Sequence, residues 1–456
     1  MDKENCAKIM EYLNLLDDLS DWVQHTEAGK SAKKELLMKL VSLENKAAGI
    51  DEDETAIRLY HLAGGYRQAE YFFGTENTKA ATPKISDDTK LIVMMSHELS
   101  RTGAPVVFAD AARILKAAGY YVVVFSPMDG PLRKEICDMG IPVIIDHALL
   151  YGRCEQAELR EVHQYQRWET DFFAGCADML FLNTAVMHNA VERYMGLGQP
   201  MIWWMHEGNV SFESFGDCMP KSLPDHVKVV YVSDYVREQL EASGISYPGS
   251  VMHYGVADFA CAPAETSEYF NFVMVGAVSR RKGQDLLLDA INRLPRNYLD
   301  RCRFYFVGSA AEPALYNRIE MLSRGCDYIK LCKAMPREEL LRFYQSCDCI
   351  ICASRDDPLP VVLTEMMILS RPSICSDHTG TASYIEDGKE GFLFPNEDVD
   401  ALVQAICKCA DSGEQVKEMG KAARRLYEAQ FGMDVFESNL KSLIEKELET
   451  AVSNKG

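Results

Sequence analysis

Apolar residues along this chain show two textures, and the change between them falls near residue 90. Before it, Ile9, Tyr12, Leu13, Leu16 and Leu19, and again Leu36, Leu37, Leu40 and Leu43, recur at the spacing of a helix face. Residues 1–85 carry no strand pattern and are read as a helical extension that runs into a polar linker over 75–89. From Leu91 onward, short apolar runs alternate with helical stretches. The runs are Leu91–Met95, Tyr121–Phe125, Val143–Ile145, Met179–Leu182, Met201–Met205 and Val227–Val232. A second series comprises Phe270–Val275, Arg303–Val307, Tyr328–Leu331, Cys349–Cys352 and Ser373–Cys375. Continuous rather than alternating apolar runs, with helices between them, predict parallel strands buried on both faces. The fold class is therefore α/β, with two doubly wound, Rossmann-like domains facing a cleft.

The junction is placed near Gly255–Glu268, where a turn runs into a Pro- and Ala-containing stretch. The predicted organisation is 1–85 as extension and linker, 86–257 as an acceptor-side domain, 258–432 as a nucleotide-sugar-binding domain, and 433–456 as a terminal helix. A length of 456 residues is too great for one core and agrees with two or three domains. The net charge of −20 disfavours a primary role on nucleic acid or an anionic bilayer. Fifteen cysteines, an odd number and mostly single within apolar runs, read as buried thiols in a reducing compartment. Neither Cys347-Asp348-Cys349 nor Cys407-Lys408-Cys409 has zinc-ligand spacing, so no structural metal is expected. No basic-then-apolar leader opens the chain, and no apolar run approaches the roughly 20 residues of a membrane helix. A cytoplasmic enzyme is expected. Peripheral attachment at the inner membrane face stays open, with Lys30, Lys33, Lys34 and Lys39 as a small basic face.

Four segments carry chemistry. Arg101-Thr102-Gly103-Ala104-Pro105 lies between a strand and a helix expected to open at Pro105, where small residues let backbone amides face an anion. His206-Glu207 follows the strand Met201–Met205, which places a neutral imidazole at a strand's carboxyl end. Arg280-Arg281-Lys282-Gly283 is read as opening a helix, with its cations converging on a pyrophosphate. Asp357 and Glu365 stand eight positions apart across a loop and a helix, and a carboxylate there accepts well from vicinal hydroxyls. Thr379-Gly380-Thr381-Ala382 adds a further small-residue turn. Two Asp-x-Asp patterns, at Asp51 and Asp53 and at Asp398 and Asp400, do not follow strands; Asp398 is expected to begin a helix.

Taken together, these segments resemble the GT-B retaining glycosyltransferases of family 4, from about Lys90 to Phe436. Ser96–Pro105, the turn Asp129-Gly130-Pro131-Leu132, Trp203–Glu207, Val230–Ser233 and His253–Val256 all look like family motifs. The resemblance implies transfer of a sugar from a nucleotide diphosphate sugar to a hydroxyl of a glycan, lipid-linked or protein-linked acceptor. It implies retention of configuration by same-face attack, and no metal or other cofactor. By the same resemblance Gly103 and Ala104 meet the donor phosphate or sugar, and His206 supports the sugar. Lys282, with Arg280 or Arg281, stabilises the departing phosphate; Glu365 binds the ribose, and Asp357 lies nearer the donor sugar. Gly380 and Thr381 lend donor contacts, and His97 and Glu207 are acceptor-side candidates, though Glu207 could instead cap the next segment. The chain departs from the pattern at Ala277, where the family carries an arginine, and at Pro358 and Pro360, often glycines. Those departures leave a non-catalytic, sugar-nucleotide-binding scaffold open; a nucleotide-sugar epimerase, which needs no acceptor, is the other rival. Residues 1–85 are candidates for self-association or for binding a protein partner.

Overall fold

The computed structural model describes residues 69–72, 89–146, 149, 169–259 and 267–453. Nearly all of the helical extension, most of the linker, and Asp51 with Asp53 lie outside the described residues.

The first sheet has eight strands in the order β1-β4-β3-β2-β5-β6-β7-β8. They are β1 (Ala69–Phe72), β2 (Leu91–Ser96), β3 (Tyr121–Ser126), β4 (Val143–Asp146), β5 (Met179–Asn183), β6 (Met201–Met205), β7 (Val227–Tyr231) and β8 (Gly249–Val251). All neighbours are parallel except β1, which runs antiparallel to β4 with Ala69 opposite Asp146. β2, β3, β5 and β6 are buried along their whole length, as their uninterrupted apolar sequence requires. β1 corrects the expectation of no strand before residue 85. A four-residue run is too short for period two to separate from period 3.6, and it is the long-range pairing with β4 that makes it a strand.

The second sheet has six parallel strands, ordered β11-β10-β9-β12-β13-β14. These are β9 (Phe270–Val275), β10 (Cys302–Val307), β11 (Ile329–Cys332), β12 (Cys349–Cys352), β13 (Ser373–Ser376) and β14 (Gly391–Phe394). Among the parallel strands of each sheet the order reverses once, between β2 and β5 in the first and between β9 and β12 in the second. Such reversals open a crevice beyond the carboxyl ends of the two strands, where α/β proteins bind ligands. Every candidate loop of the sequence leaves a strand at or beside one of these points.

The two sheets are joined twice. At 256, the chain pairs with the end of the helix Gln415–Gln430: Val256 N–H donates to Phe431 O at 2.9 Å, and Arg424 forks onto Asp258 at 3.1 and 2.6 Å. The last helix, Met433–Ser453, then returns to the first sheet, where Phe436 stacks on Trp204 with ring centroids 5.5 Å apart. Gly255 permits this crossing, since a Cβ there would sit 2.7 Å from the Cα of Met433. Asp398 caps the helix Val399–Asp411 by accepting from Ala401 N–H at 2.9 Å, the expected start. Among the described residues, no helix is long and apolar enough to cross a membrane.

Candidate active site

The second-domain half of the site grows from β9 and β12. After β9, Arg280–Lys282 form one 3-10 turn, and the helix proper begins only at Gln284. The expected helix start is displaced because Gly283 takes the left-handed conformation, φ +81°, and lets the carbonyl of Ala353 approach where a Cβ would be 1.8 Å away. This close approach seats the Arg280–Lys282 turn against the loop after β12. Lys282 Nζ donates to Asp357 Oδ2 at 2.5 Å, and Arg281 donates to the carbonyl of Asp356 at 2.8 Å. Arg280 is exposed and lies 4.0 Å from Asp285, so it does not converge with its two neighbours. Arg355 staples the turn to the loop, with bonds to Asp285 at 2.9 and 3.0 Å and to the carbonyl of Arg280.

Asp357 is only 6% exposed, and its carbonyl accepts from Gly380 N–H at 2.8 Å. The amide of Gly380 is thus engaged by Asp357, whereas the buried Thr381 hydroxyl oxygen has no hydrogen-bond partner among the described residues. Glu365 is on the helix Val361–Ile368, 4% exposed and 3.1 Å from Arg337. Burial pushes its carboxyl above the usual range, against the opposing pull of Arg337 and Tyr344.

The first-domain half lies at the ends of β2, β5 and β6. The helix Gly103–Ala117 begins two residues before Pro105, because proline is tolerated anywhere in a first helical turn. No side chain caps this helix, and Gly103 faces open space. The hydroxyl of its flanking Thr102 donates to Glu98 at 3.0 Å instead. Next to it, Thr184 has φ +81°, uncommon for a β-branched residue, with its hydroxyl 3.2 Å from His97 Nδ1. Glu207 accepts from the backbone N–H groups of Ala185 at 2.8 Å and His206 at 3.0 Å, a capping task that ties β5 to β6. Burial raises its carboxyl above the ordinary value despite these bonds.

His206 Nε2 is buried and lacks a hydrogen-bond partner among the described residues, and the ring lies 4.4 Å from that of Trp204. Burial, and secondarily His97, lower its pKa to about 3, so the imidazole is neutral. An orphan nitrogen in a neutral ring at a strand end is disposed to meet a polar ligand group.

Across the cleft, the loop after β12 meets the loops after β6 and β7. A Cβ on Gly208, two residues beyond His206, would lie 2.0 Å from Asp356 Oδ1. Ser233 donates to the carbonyl of Pro358 at 2.6 Å, and Gly380 admits the same carbonyl where a Cβ would be 1.7 Å away. The structure therefore gathers Arg281, Lys282, Asp357, Gly380 and Thr381 in one domain and carries the His206 loop to them. Gly103, Ala104, His97 and Glu207 stand at the ends of β2 and β6 in the first-domain crevice, with Glu207 and His97 beside His206. Arg337, Arg355, Asp356, Thr184 and Tyr235 were not singled out from sequence. Asp356 is the chain neighbour of Asp357, and Tyr235 lies two residues beyond the motif Val230–Ser233. The others depend on contacts between distant segments. Among the described residues no group of three or more His, Cys, Asp or Glu side chains is placed to hold a metal ion.

With two crevices facing each other across such loops, the fold is that of the GT-B glycosyltransferases. The model for glycosyl transferases group 1 matches residues 262–426, and that for glycosyl-transferase family 4 matches residues 88–230. This chain belongs to the GT-B, family 4 type of glycosyltransferase. Spore coat protein SA of Bacillus subtilis is 24% identical over 379 residues, 76% of this chain and 95% of that protein. O-antigen chain mannosyltransferase C of Escherichia coli is 26% identical over 249 residues, covering 53% of this chain and 62% of the relative. HepE of Anabaena, solved with UDP-glucose, superposes with a TM-score of 0.61 at 16% identity, over 78% of this chain and all of that one. Sucrose-phosphate synthase from Thermosynechococcus elongatus gives 0.61 at 17% identity, over 79% of this chain and all of the synthase.

Proposed function

We propose that this glycosyltransferase moves a sugar from a nucleotide diphosphate sugar to an acceptor hydroxyl with retention of configuration and without a metal ion. One observation carries the reading: Lys282 and Asp357 are paired beyond one switch point, and the loop of the orphaned His206 packs against the residue preceding Asp357. When the glycosyl bond breaks, negative charge grows on the departing diphosphate. A fixed cation there acts without reorganising, so Lys282 with Arg281 serves as the leaving-group stabiliser. Asp357 orients Lys282 and lies beside the sugar, and the Thr381 hydroxyl and the uncapped amides of Gly103 and Ala104 complete the donor contacts. Neutral His206 supports the sugar through Nε2, and Glu365, held by Arg337, takes the ribose hydroxyls. Attack comes from the face the phosphate leaves, with the phosphate oxygen taking the acceptor's proton. His97, oriented by Thr184, lies on the acceptor side. The acceptor is a glycan, a lipid-linked or a protein-linked hydroxyl. A protein partner or self-association is assigned to residues 1–85.

The reading is tested by thermal shift and sugar release against a panel of nucleotide diphosphate sugars, UDP-glucose first, in the presence of chelator and with Glu365→Ala alongside. Stabilisation and slow release with one donor, both lost in the variant, support it; the absence of any response across the panel sinks it. A chain starting at Gln68 should release sugar at the parental rate if residues ahead of β1 serve only a partner.

A further inference from the structure

Three hydroxyls of the first domain reach over the cleft to one short stretch of the second, and that stretch carries Asp357. Tyr235 donates to Asp356 Oδ1 at 2.9 Å, Ser233 to the carbonyl of Pro358 at 2.6 Å, and Tyr254 to the carbonyl of Leu359. Asp357 is thus gripped from the opposite domain on both sides, while Lys282 of its own domain holds its carboxylate. Two of the three bonds end on backbone carbonyls. The third joins two side chains, and its acceptor, Asp356, lies against three parts of the proposed machinery: Arg281, the loop of His206, and Asp357. The Asp356 carbonyl holds Arg281 at 2.8 Å, its carboxylate lies against Gly208 beyond His206, and Asp357 follows it in sequence. Asp356 is 7% exposed, so water competes little for that carboxylate.

We propose that Tyr235 and Asp356 form a positioning pair that couples cleft closure to sugar–phosphate cleavage, setting Arg281 and Asp357 against His206 only when the domains are together. Burial, then the charge of Asp356, push the Tyr235 hydroxyl above its ordinary value, so it remains a donor across physiological pH. Its value to the reaction is positional: misplacing charged groups by a fraction of a contact distance costs rate while leaving nucleotide binding intact. An open chain would then bind donor without wasting it on water. The inference rests on the transferase reading.

The test uses the full chain. Tyr235→Phe keeps the ring and removes the donor, Asp356→Ala removes the acceptor, and Asp356→Asn retains an oxygen that can still accept. UDP binding, kcat and KM for glucose release from UDP-glucose, and amide hydrogen exchange over residues 354–360 are measured for each. In Tyr235→Phe and Asp356→Ala, kcat is expected to fall roughly tenfold to a hundredfold, with UDP affinity at the parental level and faster exchange over 354–360. Asp356→Asn recovers most of the rate, and exchange over β10 is unchanged throughout. Unaltered kcat, a loss of UDP affinity in step with kcat, or unaltered exchange over 354–360 overturns the proposal. If the parent is neither stabilised by nor releases sugar from any donor of the panel, the transferase reading falls, and exchange alone decides whether the pair holds the loop.

Discussion

Lys282 and Asp357 illustrate how one contact serves stability and chemistry with opposite tolerances. Removing the lysine leaves a nearly buried carboxylate without its ammonium, so Lys282→Ala should lower unfolding stability by about 1–3 kcal/mol in urea titrations. Adding Asp357→Asn should restore part of that loss, because the uncompensated charge is gone, while sugar release stays about a hundredfold or more below the parent. Recovery of turnover together with stability would show the pair to be structural only. His206 carries a second signature. Its folded pKa of about 3 lies below the value of an unfolded histidine near 6.5, so between these limits the unfolded chain binds the extra proton. Stability from this group is therefore complete above pH 6.5 and is lost as pH falls toward 3. His206→Asn should show a shallower loss between pH 7 and 5, measured by urea midpoints. An identical slope in parent and variant would place the imidazole in water.

At the scale of elements, glycines decide how closely loops approach. Gly283 combines φ +81° with a carbonyl 1.8 Å from where its Cβ would be, so both backbone strain and collision oppose alanine. Gly283→Ala should cost more than about 1 kcal/mol and, by displacing the loop after β12, abolish sugar release. Gly103→Ala is the contrast. Its Cβ meets open space and its φ is not positive, so urea midpoints should barely move, whereas donor affinity falls if that face meets the donor. The loop-to-helix geometry around Gly283 was only half legible in the sequence. A run of two arginines and a lysine before glycine shows a turn with cations, but the choice between a helix start and a 3-10 turn was made by the Ala353 carbonyl, 70 residues away in the chain.

For the molecule as a whole, the terminal helix is the second connection between the domains. Phe436 is buried and stacks on Trp204, the residue two before His206, so the helix braces the strand that presents the imidazole. Phe436→Ala should destabilise by about 3–5 kcal/mol and loosen the first sheet around β6. The check is whether exchange accelerates in Met201–Met205 as well as in the helix; acceleration in the helix alone would show that the crossing carries no load. The separation of the strand series into two sheets, and the strand-end position of each chemical residue, were readable from the apolar runs, because burial on both faces leaves an unmistakable continuous pattern. β1, β8 and β14 escaped that reading. Each lies at the edge of its sheet, where pairing with a strand already in place recruits it.

What the amino-acid sequence determined by itself was local and chemical: which runs must be buried, where turns interrupt them, and that a lysine, two acids and a histidine follow strands. Those follow from side-chain polarity and backbone sterics within a few residues. What only the tertiary structure decided was which of those groups meet. Tyr235 reaches Asp356 over 121 positions, Arg337 finds Glu365, and Thr184 holds a positive φ where Trp203 and Trp204 of β6 and His97 beyond β2 bond to it. Such contacts carry no local period, since their energy is realised only once two sheets have formed and faced each other.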